Sequence, residues 1–213
     1  PILPIMAVLG SLAAVIGAFL AFAQRDLKMM FAYGGISHIG IILIGIGQGN
    51  QTGFAGGIFY LLNDAVMQAA LFYLAGVAFC HYGVRTIEDL GRIGKQAPWL
   101  TASLIVVALG MIGLPPTGGF FGKLNIILGA MEAGNYFSVA AVFLSTLLTL
   151  GYFVKLFESI FRQTSAQSNV QFGETPLSYK LGMGITSAII LILGLFSSPT
   201  VQVILNQALP PKL

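Results

Sequence analysis

Gly113-Leu-Pro-Pro-Thr-Gly-Gly-Phe-Phe-Gly-Lys-Leu-Asn125 is the stretch on which the fold turns. It lies inside an otherwise apolar run from Trp99 to Ala130, long enough to cross a bilayer, for which about 20 apolar residues suffice. Pro115 and Pro116 remove two backbone donors near the middle of that run, so the helix must break there. Gly118, Gly119 and Gly122 let the freed backbone bend and approach its neighbours. Irregular backbone at membrane depth is tolerated only where protein buries it or where it lines a wet cavity. Lys123, just past the break, is then a functional candidate, because an ionisable group in the membrane is costly.

Working outward, the whole chain has the same character. Hydrophobic residues make up 56% of it and charged residues 8%, against about 25% charged in soluble domains. That leaves too little charge to cover a soluble surface, so the expected class is an all-α polytopic membrane protein in contact with lipid. The net charge of +3 is spread over loops, and no basic run points to nucleic acid. The single Cys80 excludes an internal disulfide and is expected to serve helix packing. The apolar start has no basic leader and resembles the later apolar runs, so it reads as a span and not as a secretory signal. Its first residue is Pro, from which a fragment or a processed product is expected.

Six transmembrane helices are expected, near Pro4–Ala23, Met29–Gly47, Phe54–Tyr82, Trp99–Ala130 (discontinuous), Tyr136–Phe161 and Leu177–Ser198. Arg25, Lys28, Arg85, Arg92, Lys95, Lys155, Arg162 and Lys180 then fall on one side and only Lys212 on the other. The positive-inside rule makes the first side cytoplasmic and places both termini outside. Between the third and fourth spans, Thr86-Ile-Glu-Asp-Leu-Gly-Arg92 reads as a short interfacial helix or turn, with a docking site for a soluble partner as the alternative.

Polar residues inside the spans are few. Tyr60, Asp64 and Gln68 are four apart and share one helix face, with Asn63 beside them. Asp64 is the one acid deep in a span. It is either a neutral, hydrogen-bonded group locking two helices or a carrier of protons or cations. His38 lies about 15 Å along the second span from Lys28, at mid-membrane, where relay and structural roles are both open. Lys28 sits near the cytoplasmic edge, where simple snorkelling accounts for it. Lys155 and Glu158 read as a helix-surface ion pair or as a proton entrance. His81 falls close to the interface. No phosphate loop, Cys/His metal cluster, Ser–His–Asp arrangement or haem-type histidine pair is present in the sequence. No cofactor is therefore expected in this chain, and any redox chemistry is assigned to other subunits.

Asp26-Leu-Lys-x-x-x-Ala-Tyr-x-x-Ile-Ser-His-Ile-Gly40, then Tyr60-Leu-Leu-Asn-Asp-Ala65, then Gly113-Leu-Pro-Pro-x-x-Gly-Phe-x-x-Lys123 come in an order that resembles the antiporter-like proton-translocating family. Its members are large membrane-arm subunits of respiratory complex I, of membrane-bound hydrogenases and formate hydrogenlyases, and of multisubunit cation/proton antiporters. The resemblance covers nearly the whole chain. It implies that residues 1–213 form a single transmembrane domain corresponding to the second of two inverted five-helix repeats plus the final helix, with the first repeat absent. It implies that Lys123 is the lysine of the outer proton exit and that Lys28 and His38 lie on a central hydrophilic axis. Further membrane subunits are implied as partners, one of them supplying the missing half-channel, as is residence in the cytoplasmic (inner) membrane. The family pattern on the third span usually reads His-Leu-Leu-Asn-His with a lysine four residues later. Here Tyr60, Asp64 and Gln68 replace those bases, so Asp64 either substitutes for the carrier, holds Lys123 in its charged form, or marks a sodium-handling or non-pumping member.

Three functions follow. The leading one is a proton-translocating subunit, without a redox centre of its own, in an ion-pumping oxidoreductase complex of the NADH:quinone oxidoreductase or hydrogenase kind. The second is a subunit of a cation (Na+)/proton antiporter without redox partners. The third is a non-conducting scaffold. In the first, Lys123 switches between charged and neutral as a neighbouring cation approaches. A contact pair at about 4 Å in an effective dielectric of about 20 is worth on the order of 4 kcal/mol, enough for such a switch.

Overall fold

The computed structural model describes residues 2–92, 97–162 and 175–196. Among these, the elements are α1 (Ile2–Ala23), α2 (Leu27–Gly47), α3 (Gln51–Tyr82), a short 3₁₀ turn (Glu88–Arg92), α4 (Pro98–Ile112), α5 (Gly118–Glu132), α6 (Tyr136–Phe161) and α7 (Leu177–Leu195). The described part is an all-α polytopic membrane protein. α1, α2, α3, α6 and α7 are each long and apolar enough to cross a bilayer, and α4 is a shorter apolar helix. The expected discontinuous fourth span is the pair α4 and α5, parted at Gly113–Thr117. Ser198, the expected end of the last span, lies outside the described residues, as do Lys95 and Lys212.

Polar caps start the helices where the sequence turns. The Asp26 carboxylate accepts from the N–H groups of Lys28 and Met29 at 2.9 and 3.1 Å, closing the first turn of α2. Asn50 does the same for α3 through Gly53 N–H, and Asn135 for α6 through Ser138 N–H. α1 and α2 lie close together along small residues, and Ser37 donates to Ala14 O at 2.7 Å across the contact. α3 packs between α2 and α5, α6 lies against α1, and α7 against α3 and α4.

The two ends differ in chemistry. At one, Arg85 pairs with Asp26, Leu27 N–H donates to Arg85 O, and Ser159 donates to Ile87 O. Lys155 there donates to Gln24 O at 3.0 Å and more loosely to Phe22 O, capping the last carbonyls of α1. Glu158 pairs with Arg162, so the Lys155–Glu158 ion pair expected from spacing does not form: the α1 end offers the ammonium better-placed acceptors. Tyr82 meets Thr175 at this same end. At the other end, Asn50 donates to Gly129 O, Asn135 to Gln48, and Thr52 to Glu132. Cys80, expected to pack between helices, is exposed instead, on the outward face of α3 with Phe72 and Phe79. His81 is half-buried, its ring edge-on to Tyr82.

Candidate functional site

The break between α4 and α5 dictates where the lysine goes. In an unbroken helix, Met111 O and Ile112 O would accept from the N–H groups of residues 115 and 116. Both of those residues are proline and have no N–H to give. The two orphaned carbonyls are taken by one side chain: Lys123 Nζ donates to Met111 O at 2.8 Å and to Ile112 O at 3.1 Å. A third, longer bond reaches Thr146 Oγ1 at 3.4 Å. The ammonium thus sits at the C-terminal, partially negative end of a half-helix, which favours a cation. Gly113 ends α4 at φ +85°, a backbone conformation that a side chain would strain, and the space a Cβ would fill lies 3.2 Å from Lys123 Cδ. α5 can start close against α4 because Gly119 faces Gly110 O, where a Cβ would collide.

A second polar group lies across the bundle, where α2 meets α3. His38 Nδ1 and Asp64 Oδ1 are 2.8 Å apart, and Tyr60 Oη is 3.1 Å from the same nitrogen. His38 is 0%, Asp64 5% and Lys123 5% exposed, so all three are interior. With Nδ1–H donated to the Asp64 carboxylate, Tyr60 Oη accepts the longer branch, and Nε2 has no partner among the described residues. Tyr60 stands between the two groups. Its hydroxyl touches His38, while Lys123 Nζ lies over its ring at 5.8 Å.

The sequence-predicted residues therefore divide. Lys123, Asp64 and His38 come together around Tyr60. Lys123 and Asp64 form no contact ion pair; Tyr60 lies between them. Lys28 stays apart: it is exposed, with Nζ 4.6 Å over the Phe79 ring, in an open pocket of about 310 Å³ that Asp26 and Arg85 also line. Asn63 serves packing, donating to Phe59 O at 2.8 Å where α5 begins. Among the described residues no cluster of His, Cys, Asp and Glu could hold a metal ion.

α6 adds what sequence reasoning missed. Ser145, Thr149 and Tyr152 are fully buried, and Thr146 reaches Lys123. Ser138, Ser145, Thr149 and Tyr152 are seven, four and three apart, a polar stripe on an otherwise apolar helix that spacing alone could have exposed.

Residues 2–149 match the family model described as NADH:quinone oxidoreductase/Mrp antiporter, transmembrane. The chain belongs to that family. Within it, the chain is 34% identical to NADH-quinone oxidoreductase subunit N of Desulforudis audaxviator, over all of this chain and 46% of that protein. It is 33% identical to a putative antiporter subunit, mnhD2, of Staphylococcus saprophyticus, over 90% of this chain and 38% of that one. The fold matches a chain of respiratory complex I from Thermus thermophilus with a TM-score of 0.83 at 28% identity, over 96% of this chain and 44% of that chain. The chain thus spans about half the length of the family members it matches.

Proposed function

We propose that this chain is the lysine-bearing half of a proton-translocating, antiporter-like subunit in an ion-pumping membrane redox complex, with Lys123, Asp64 and His38 as the groups that move charge. The observation that carries it is the seat of Lys123: a buried ammonium held on the two carbonyls that Pro115 and Pro116 orphan. A buried ammonium needs acceptors in any role; what favours a relay is that this one is kept at membrane depth, where an ionisable group is costly.

The mechanism we infer is electrostatic. With the Asp64 carboxylate ionised and His38 neutral, the pair carries one net negative charge, which favours the charged form of Lys123 across the Tyr60 ring. A proton added to His38 cancels that charge. At a separation on the order of 10 Å and an effective dielectric of about 20, the attraction lost is roughly 1.5–2 kcal/mol, a bias of more than tenfold toward release from Lys123. When that proton leaves, the negative end of α4 draws a proton back onto Lys123. Tyr60 stands between the two groups, which act on each other through charge.

Residues 1–213 are read as one transmembrane domain, the second inverted repeat plus a final helix, completed by another membrane chain or segment that supplies the other half-channel. Arg25, Lys28, Arg85, Lys155 and Arg162 favour the cytoplasmic side of the inner membrane for their end, with both termini outside. Electron transfer is assigned to other subunits, and Lys28 to the inner mouth of the path. A second reading, a subunit of a Na+/proton antiporter, is favoured by the similarity to the putative antiporter subunit and by the carboxylate at Asp64.

The test is Lys123→Ala in the assembled complex, with proton uptake into vesicles followed by a pH-sensitive dye. Uptake should fall to background while assembly is retained. Wild-type uptake in that variant refutes the relay. Uptake that rises with Na+ and needs no electron donor selects the antiporter reading.

A further inference from the structure

One helical turn from His38 toward the Arg25 end, three helices bring unpartnered polar atoms into the interior. His38 Nε2, both polar atoms of the Gln68 amide and Tyr152 Oη are buried without a hydrogen-bond partner among the described residues. The α2 backbone makes room for them at Gly34 and Gly35. The space a Cβ would fill at Gly34 is 3.0 Å from Tyr152 Oη, and at Gly35 it is 2.8 Å from Gln68 Nε2. Gly34 is four residues before His38, so the same face of α2 carries both. Thr149, the nearby hydroxyl on α6, donates to Ser145 O. Between this level and the Arg25 end, Met30 and Phe31 of α2, Leu71 and Leu74 of α3, and Leu156 of α6 are buried.

Each buried polar atom left unpaired costs free energy comparable to a lost hydrogen bond. A buried water is stable where it finds two to four polar partners, and here His38, Gln68 and Tyr152 offer them from α2, α3 and α6. We propose that Tyr152 and Gln68 hold ordered water against His38 Nε2, forming a buried proton-loading site. This rests on the relay reading above and adds two positioning residues to it. In the loading step a hydronium ion reaching the ordered water gives up its proton: its O–H bond breaks as an N–H bond forms at the free Nε2 lone pair, and neutral water is left. The imidazolium then donates from Nδ1 to Asp64 and from Nε2 to the water, which in turn donates to Gln68 Oε1, while Tyr152 Oη completes its shell. No other bond changes, and the site loses the net negative charge that favours the charged form of Lys123 across Tyr60.

The test uses Tyr152→Phe and Gln68→Leu in the intact complex. Both variants remove polar atoms with little change of shape, and Gln68→Leu carries the test should Tyr152→Phe fail to assemble. Two readouts are taken: the proton-uptake rate, and the infrared band of ring-labelled histidine that disappears in His38→Gln. Uptake should fall about tenfold, the effect of one lost charge-assisted hydrogen bond, and the His38 band should shift in both variants. Wild-type uptake with an unshifted band overturns the loading site while leaving the relay standing, provided that Lys123→Ala still abolishes uptake. A slower rate with an unshifted band shows a packing role and also overturns it. Undiminished uptake in Lys123→Ala removes the relay, and the loading site with it.

Discussion

Pro115→Ala and Pro116→Ala test the link between the helix break and the lysine without touching Lys123 itself. Each alanine returns an N–H to the chain, at position 115 opposite Met111 O and at 116 opposite Ile112 O. Both carbonyls are then drawn into the helix ladder, and α4 extends by up to a turn at the expense of the ammonium. Hydrogen bonds to a charged group are worth about 1.5–3 kcal/mol each. Losing the 2.8 Å bond to Met111 O alone should therefore lower occupancy of the charged lysine about tenfold or more, at 1.4 kcal/mol per factor of ten. The 3.1 Å bond to Ile112 O is longer, so Pro116→Ala should cost less, and the double variant about a hundredfold or more. The assay is proton uptake by vesicles carrying the assembled complex, normalised to complex content on a native gel. The order expected is wild type, Pro116→Ala, Pro115→Ala, double variant, from fastest to slowest. A double variant that assembles normally and pumps at the wild-type rate would show that the ammonium does not depend on those carbonyls, and the reasoning would fail.

Asp64→Asn keeps the shape and the contact with His38 but removes the charge that balances an imidazolium. Uptake should fall strongly while the complex still assembles, and normal uptake would reduce Asp64 to a helix lock. Gly113→Ala places a side chain at φ +85° and close to Lys123 Cδ, so thermal unfolding should show a loss of about 1–2 kcal/mol together with slower uptake. An unchanged melting temperature would mean that the turn relaxes freely.

The broken span is legible in sequence because proline and glycine act locally: Pro115, Pro116 and Gly113 forbid a continuous helix whatever surrounds them. The burial of Lys123, Asp64 and His38 is legible because ionisable groups inside apolar runs have nowhere else to go. Their partners are not. Which carbonyls accept from Lys123 depends on how α5 folds back along α4, a tertiary fact that spacing along one helix does not carry. The same holds for Lys155, whose nearest acid in sequence is Glu158 but whose acceptors, Gln24 O and Phe22 O, lie at the C-terminal end of α1. Asp26 does carry a local signal, an acid just before a helical run, and its capping role could have been read from that alone. Tyr152 looks like one more aromatic residue, since a phenol on an apolar helix gives no sign of which neighbour leaves it room.

α6 is anchored at three levels. Thr146 touches Lys123, Lys155 grips the last carbonyls of α1, and Ser159 holds Ile87 in the loop after α3. Thr146 and Lys155 are separated by about 14 Å of helix at 1.5 Å per residue. A helix of that length does not compress, so it behaves as a pushrod. A tilt imposed on the Arg25–Ile87 surface, by whatever docks there, shifts the Thr146 hydroxyl relative to the Met111 and Ile112 carbonyls and alters the seat of the ammonium from a distance. The lysine is in this sense mechanically addressable from the membrane surface, without any side chain having to travel.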